Sequence, residues 1–228
     1  MRPDQMLLVD KPKGWTSFDV VNKLRNELRK VTGNKKIKVG HSGTLDPLAT
    51  GLLIICTGSW TKKLNDLLGL DKVYSGIITL GATTPTLDAE SAIEQTFPVE
   101  HITPQLISEK IKDFIGEIDQ IPPIFSAIKM DGQPLYKKAR KGQEVEIPPR
   151  KITIYELEIT AFELPDVHFR VKCSKGTYIR SLARDLGHAL GSGGFLKELK
   201  RDSIGDFKLL DASDIDSLIL EIRAYGKN

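Results

Sequence analysis

The chain has 228 residues, 40% of them hydrophobic, which is enough to bury a substantial core as one large domain or two small ones. No apolar run approaches the length of a membrane span or a signal-peptide core, so we expect a cytoplasmic protein without membrane contact. Its two cysteines and four histidines lack disulfide or zinc spacing, which predicts buried thiols at Cys56 and Cys173 and no metal.

The formal net charge of +3 is unevenly distributed along the chain. Residues 1–40 hold 10 Lys and Arg against 4 Asp and Glu, residues 129–151 hold 7 against 3, and residues 168–201 hold 8 against 2. These segments together carry +16, which leaves −13 for the remainder. Segregated basic residues favour binding of a polyanion such as RNA, and solvated lysine-rich helix faces are the alternative.

The amino-terminal half of the chain predicts strands alternating with short helices. Ser17 is a suitable N-cap for a helix to about Lys30, because apolar residues then recur on one face. Those residues are Val20, Val21, Leu24 and Leu28. The other elements predicted here are strands at Met6–Asp10, Leu52–Cys56 and Lys72–Leu80, a short helix at Trp60–Leu68, and a helix opening at Thr103-Pro104.

Residues 40–51, GHSGTLDPLATG, place one carboxylate, Asp46, in a loop bounded by glycines. Glycine permits backbone conformations and close approaches that a side chain blocks, and Pro47 fixes the dihedral after the acid. Because the next segment reads as a buried strand that anchors the loop, we expect the loop to present Asp46. An ordinary Asp-Pro turn is the alternative, against which stand the nearby His41, Ser42 and Thr44.

Residues 121–150 differ in character from their neighbours. Prolines punctuate a basic stretch with few core residues, which predicts an inserted arm that a polyanion would order. A static surface hairpin with a helix at residues 135–141 is the alternative. The basic residues of the arm include Lys129, Lys137, Lys138, Arg140 and Lys141.

Two strands and two helices are predicted after the arm. The strands are Ile152–Phe162 and Val167–Cys173, and Thr177 is expected to cap a helix that ends at Gly191. After residue 204 the chain has room only for a strand and a helix capped near Ser213. The buried stripe of the first helix is predicted to hold Ile179, Leu182, Ala183, Leu186 and Leu190.

Arg180 lies off that stripe, in the first turn of its helix. A cation there opposes the helix dipole, which favours an acid at this end. We therefore expect Arg180 to pair with an acid elsewhere, and Asp46 is the candidate.

Four ordered segments resemble the TruB family of tRNA pseudouridine synthases. They are KPKGWTS at residues 11–17, GHSGTLDPLATGLL at 40–53, KVYSG at 72–76 and SKGTYIR at 174–180. The resemblance implies an α+β fold with a mixed, mainly antiparallel sheet flanked by helices. It also implies a single catalytic domain over residues 1–228, in which the arm at about 121–150 is a thumb-like insertion that clasps the tRNA T-arm.

The activity implied by the resemblance is isomerisation of the T-loop uridine, U55, to pseudouridine. Asp46 would be the essential acid and attack either the sugar anomeric carbon or the pyrimidine ring, a choice that the sequence leaves open. Arg180 would keep Asp46 ionised, and Tyr74 would stack on the target base. Because the base leaves and rejoins the same sugar, no cofactor is required.

The resemblance also assigns residues to substrate binding. His41 would sit against the rearranged T-loop, Tyr178 and Leu199 would complete the pocket walls, and Lys129 of the arm would contact RNA. Lys11 would be scaffold rather than chemistry.

Two features depart from the family pattern. Pro85 stands where relatives commonly carry an acid, which leaves Asp88 as an RNA-contacting or loop-ordering acid. The chain is also expected to lack the carboxy-terminal PUA-type domain of many relatives, so that most of its affinity would come from the T-arm.

Three functions from different classes remain open at this stage. The first is a monomeric tRNA pseudouridine synthase that works without guide RNA or protein partners. The second is a non-catalytic module that binds or remodels RNA. The third is a nucleoside or glycoside hydrolase with Asp46 as nucleophile, against which stands the lack of an evident second acid.

Overall fold

The computed structural model of the protein describes residues 4–126, 128–130, 132–135 and 145–225, with the backbone alone at 129, 130 and 134. The strands are β1 (Met6–Lys11), β2 (Val39–His41), β3 (Thr50–Thr57), β4 (Lys72–Leu80), β5 (Ala82–Thr83), β6 (Gln95–Thr96), β7 (Gly116–Gln120), β8 (Lys129–Met130), β9 (Gln133–Pro134), β10 (Arg150–Glu163), β11 (Asp166–Cys173), β12 (Gly194–Ile204) and β13 (Phe207–Lys208). The α-helices are α1 (Ser17–Thr32), α2 (Leu64–Gly69), α3 (Pro104–Lys110), α4 (Ile179–Ala189) and α5 (Ile215–Tyr225), and 3-10 helices span Gly58–Lys63, Ile111–Phe114 and Leu209–Asp211.

The chain divides into two compact units. The first unit is formed by Met1–Ser75 together with Leu199–Asn228, and the second unit is Gly76–Glu198. Strands β4 and β12 contribute residues to both.

Strand β3 is the centre of the first unit. It pairs antiparallel with β1 and β2 and parallel with β12. Almost all of its residues are buried because apolar side chains cover both of its faces. Leu53 and Ile55 pack with α1 and α5, whereas Leu52 and Ile54 pack with α2 and the 3-10 helix before it. The strand predicted from the apolar run at residues 52–56 is confirmed.

Helix α1 has a different N-cap from the one predicted. Thr16, not Ser17, is the cap: its hydroxyl accepts the Asp19 amide at 3.0 Å, and the Asp19 carboxylate accepts the Thr16 amide at 2.9 Å. The acid three residues after Thr16 completes a capping box, which decides between two adjacent hydroxyl residues. Ser17 is instead the buried first residue of the helix. The apolar face predicted for this helix is buried, as expected.

Strands β12, β4, β11, β10 and β7 are neighbours in the sheet in that order, and the second unit contains β11, β10 and β7 with parts of β12 and β4. β10 pairs antiparallel with both β11 and β7. The strands predicted at residues 72–80, 152–162 and 167–173 are therefore confirmed, within two residues at each end. Together with the parallel β3–β12 pair of the first unit, these pairs confirm the mixed, mainly antiparallel sheet flanked by helices.

Helix α4 has the predicted buried stripe but not the predicted cap. The hydroxyl of Thr177 donates to the Ser174 carbonyl at 3.0 Å and so closes the preceding turn, and Tyr178 occupies the N-cap without a side-chain bond. Gly191, at φ +66°, follows the helix as predicted. The five stripe residues, Ile179, Leu182, Ala183, Leu186 and Leu190, are all buried.

The remaining elements agree with the sequence in outline. Thr103 caps α3 with Pro104 in its first turn, as predicted. The last helix begins one residue later than expected, because Asp214 rather than Ser213 accepts the Ser217 amide, at 2.9 Å. Both thiols, Cys56 and Cys173, are buried and unbridged.

Only part of the predicted arm falls within the described residues. β8 and β9 form a short antiparallel hairpin there, Lys129 opposite Pro134. Residues 136–144, which include Lys137, Lys138, Arg140 and Lys141 and most of the alternative helix, lie outside the described residues, as does the side chain of Lys129. Across the part of the chain that the structure describes, no helix combines the length and apolarity needed to cross a membrane.

Candidate active site

The loop that carries Asp46 is fixed at several points of the first unit. Gly14 donates its amide to the Pro47 carbonyl at 2.8 Å, and the Ala49 amide bonds back to the Asp46 carbonyl at 3.1 Å. Leu45 and Leu48 on either side are buried, whereas Asp46 itself is half-buried. A tightly bonded backbone therefore presents a carboxylate that keeps access to solvent.

Two glycines of this loop have the backbone conformations or close approaches that were predicted to require glycine. Gly43 and Gly51 adopt φ values of +107° and +101°, in the region that disfavours side chains. At Gly51 a Cβ would lie 2.5 Å from the carbonyl oxygen of Arg201. The β3 backbone therefore approaches β12 as closely as it does only because residue 51 has no side chain.

Lys11 braces the turn that precedes α1. Its side chain is 0% exposed, and its ammonium donates to the carbonyls of Pro12, at 3.0 Å, and Trp15, at 2.6 Å. A buried ammonium held by carbonyl oxygens organises the backbone around it. This geometry agrees with the scaffold role expected for Lys11.

His41 stands at the end of β2, opposite Ile55 of β3, and is half-buried. Burial lowers its pKa, a hydrogen bond with the Gly43 backbone opposes that effect, and the positive charge of Arg201 adds to the lowering. This lowering favours the neutral form of the ring. A neutral ring that keeps part of its surface in solvent is suited to stacking and hydrogen bonding.

The predicted site residues are distributed over both units. The first unit contains Asp46, His41, Tyr74 and Leu199, of which Tyr74 in β4 and Leu199 in β12 are buried. The second unit contains Arg180, Tyr178 and Asp88.

Arg180 and Asp88 form a buried ion pair in the second unit. Their side chains are 7% and 2% exposed, and Arg180 Nη1 lies 3.6 Å from Asp88 Oδ2. The guanidinium also donates to the carbonyls of Thr86 and Phe125, each at 3.0 Å. The acid that this structure sets beside Arg180 is thus Asp88, and the pairing with Asp46 stays a prediction. The burial of Asp88 favours the loop-ordering role over direct contact with RNA.

The loop around Asp88 is built to aim that carboxylate. Leu87 has φ +62°, which is uncommon for a residue with a branched side chain, and its carbonyl accepts the Leu196 amide at 3.0 Å. Asp88 Oδ1 accepts the hydroxyl of Thr86 and, at 3.1 Å, the amide of Glu90. These bonds leave Oδ2 directed at Arg180.

The backbone of Tyr178 is held at both its amide and its carbonyl. Its amide donates to Gln120 Oε1 at 2.8 Å, and its carbonyl accepts Gln120 Nε2 at 3.1 Å. The Arg150 guanidinium lies 5.9 Å from the centre of its ring. The ring is half-buried, so one side remains open.

Sequence reasoning gave no site role to three residues that bond to the backbone of candidate site segments: Ser17, Gln120 and Arg201. Each acts through contacts with residues distant in sequence, which periodicity does not report. Within the described ranges no three His, Cys, Asp or Glu side chains are grouped as a metal site requires.

A family model described as "TruB family pseudouridylate synthase (N terminal domain)" matches residues 29–179. Curated relatives named tRNA pseudouridine synthase B are similar along nearly their whole length. The protein from Flavobacterium johnsoniae is 58% identical over 212 residues, covering 92% of this chain and 93% of its own. Those from Phocaeicola vulgatus and Chlorobaculum tepidum are 51% and 49% identical, over 93% and 95% of this chain and 91% and 90% of theirs.

Solved structures resemble the whole chain. A chain of a Cbf5-Nop10-Gar1 complex aligns with a TM-score of 0.71 at 30% identity and covers 95% of this chain. A chain of an H/ACA RNP bound to a substrate RNA containing 2'-deoxyuridine aligns at 0.68 and 27% identity, over 97% of this chain. This chain spans about half the length of each, 54%.

Proposed function

Because the chain belongs to the TruB family of pseudouridylate synthases, we propose that it is a tRNA pseudouridine synthase that isomerises the T-loop uridine of tRNA, U55. Relatives that bear the name tRNA pseudouridine synthase B match it over more than nine-tenths of both lengths. The single observation that carries the mechanism is the Asp46 loop, whose backbone is bonded at both ends while its carboxylate keeps access to solvent.

The reaction exchanges one glycosidic bond for another. The uridine is swung out of its stem-loop, and the Asp46 carboxylate adds either to the sugar anomeric carbon or to the pyrimidine ring. The N-glycosidic bond breaks, the held base turns, its C5 bonds to the same sugar carbon, and the bond to Asp46 is released. C5 then gives up its proton and N1, which has lost its sugar, takes one up, so that the product is an isomer of the substrate. Since nothing leaves the site, the enzyme must exclude water rather than recruit it.

The other proposed groups come from both units. Arg180 supports the ionised form of Asp46 in the reaction, and Asp88 acts through Arg180, whose guanidinium it orients. In the first unit, Tyr74 stacks on the uracil and Leu199 lines the pocket. Tyr178, His41 and Lys129 contact the RNA.

The protein is proposed to act alone, as a cytoplasmic monomer without guide RNA. A guide is unnecessary where the enzyme reads the shape of the T-arm itself. The basic segments of the chain supply the matching phosphate contacts.

The decisive experiment compares wild type with Asp46→Asn on an unmodified tRNA transcript, with pseudouridine mapped by site. Asp206→Asn, at an exposed turn of the first unit, is the matched control. Wild type and the control should convert U55 completely, and Asp46→Asn should convert none. Conversion by Asp46→Asn would overturn the mechanism, an inert wild type would overturn the function, and release of free uracil would instead indicate a hydrolase.

A double-mutant cycle tests the role of Arg180. If Arg180 acts through Asp46, then Arg180→Lys should slow the wild-type reaction by about 100-fold and add much less to the loss caused by Asp46→Glu, which keeps a carboxylate and so a measurable rate. Additive losses would show that the two residues work independently.

A further inference from the structure

Arg201 is the largest fully buried side chain in the described part of the chain, and neither the motifs nor the proposed reaction gives it a role. It lies in β12 and is 1% exposed. A guanidinium stays charged at any pH that a protein meets, so a buried one needs compensation. Among the described residues no carboxylate lies within ion-pair distance of it.

The compensation comes from the backbone of the Asp46 loop. Arg201 Nε donates to the Leu52 carbonyl at 2.7 Å, and Nη2 donates to the Gly43 carbonyl at 3.2 Å. Gly43 lies three residues before Asp46, and Leu52 lies six residues after it. One planar cation thus joins the two ends of the loop, and its fixed geometry sets their separation.

Two features of β12 fix the position of residue 201. The Arg201 backbone pairs in parallel with Gly51, where no side chain would fit. Arg201 also shares a face of β12 with Leu199, two residues earlier, because side chains alternate along a strand. The same strand face therefore presents a pocket residue and the support of the loop.

We propose that Arg201 is a positioning residue for the reaction, one that holds the loop carrying His41 and Asp46 in its working shape without touching the substrate. This inference rests on the function proposed above. Displacement of a reacting group by about 1 Å costs on the order of 100-fold in rate, so the loss of this support should appear in the chemical step.

The test compares Arg201→Met with Arg201→Lys. Methionine fills much of the volume but has neither charge nor donors, whereas lysine keeps the charge on a single ammonium that cannot bond as a planar fork does. We expect Arg201→Met to lower the single-turnover rate about 100-fold while the dissociation constant for tRNA changes by less than about threefold. Arg201→Lys should recover thermal stability but not the rate.

A separate readout tests whether Arg201 lies close to the loop in solution. The ring signals of His41, assigned by comparison with His41→Gln, should titrate at a higher pH in Arg201→Met, because a nearby positive charge has been removed. The stability control is Ile222→Ala, which opens a cavity in the core between α1 and α5, away from the loop. Its folded fraction should react at the wild-type rate.

The outcomes separate this inference from the function on which it rests. A wild type that makes no pseudouridine overturns the function. An active wild type overturns the inference if Arg201→Met or, should that variant not fold, Arg201→Lys reacts within about threefold of it. A rate loss that Ile222→Ala reproduces, or a His41 titration unchanged by the methionine, also overturns it.

Discussion

The hydroxyl of Ser17 accepts the amide of Leu45 at 2.8 Å and donates to the carbonyl of the same residue at 3.1 Å. A single side chain at the start of α1 thereby satisfies both backbone groups of the residue that precedes Asp46. Because Ser17 and Leu45 are both buried, water does not replace these bonds.

Replacement of Ser17 by Ala should therefore affect both stability and rate. Two buried backbone groups would lose their partner, which should lower the free energy of unfolding by about 2 kcal/mol. The rate should fall as well, because the loop next to Asp46 loosens. Urea unfolding and single-turnover kinetics measure the two effects. Ser59→Ala, at an exposed serine, is the control and should change the free energy of unfolding by less than about 0.5 kcal/mol.

Asp88→Asn should leave a buried cation without its acid. The expected loss in free energy of unfolding is about 3 kcal/mol, and the rate should fall because Arg180 is no longer oriented. Asp185→Asn breaks a more exposed Arg–Asp pair, with Arg184, and should cost less than about 1 kcal/mol. Equal losses in the two variants by urea unfolding would contradict the energetic importance given to burial.

Gly51→Ala should be far more damaging than replacement of a glycine at positive φ in an open position. The new methyl group would meet the Arg201 backbone and separate β3 from β12, at a cost above about 3 kcal/mol. Gly33, also at positive φ after α1, has nothing within 4 Å of its added Cβ, so Gly33→Ala should cost only about 1 kcal/mol. Melting temperatures of the two variants would check this difference, and similar values would argue against close strand packing.

Glu27 should make stability depend on pH in acid. Hydrogen bonds from Arg223 and Lys30 lower the pKa of this buried carboxyl from 4.5 to about 2. A lowered folded-state pKa means that its contribution is complete above about pH 4.5 and is lost as pH falls toward 2. Glu27→Gln should thus cost about 1 kcal/mol at pH 7 and progressively less below pH 4.5. Urea unfolding of wild type and Glu27→Gln at pH 7 and at pH 3 measures the loss in free energy of unfolding at each pH. Equal losses at the two pH values would contradict the prediction.

The sequence predicted the elements whose information is local. The run at residues 72–80 and the apolar stripe of α4 follow from periodicity within one segment, and both agree with the structure. The choice of Thr16 over Ser17 as cap required the acid at residue 19 to be weighed together with the hydroxyls. Local rules were sufficient there, but only when taken jointly.

The candidate site was less predictable, because the side chains that hold its backbone and its charged groups come from segments distant in sequence. Arg201 bonds carbonyls 149 and 158 residues away, and the Arg180–Asp88 pair spans 92 positions. No pattern within a window reports such contacts. One sign was present in the sequence, since Arg201 follows Leu199 by two residues in a strand-like segment, which sets both on one face.

The parallel pairing of residues 50 and 51 with 200 and 201 also sets an order of events during synthesis. The segment that contains Arg201 is translated about 150 residues after the Asp46 loop. For most of its elongation, the nascent chain therefore contains Asp46 without the Arg201 contacts to the loop. Catalytic activity is then one of the last properties that the protein acquires during synthesis. Truncated or stalled products that retain every motif up to α4 should therefore be inert.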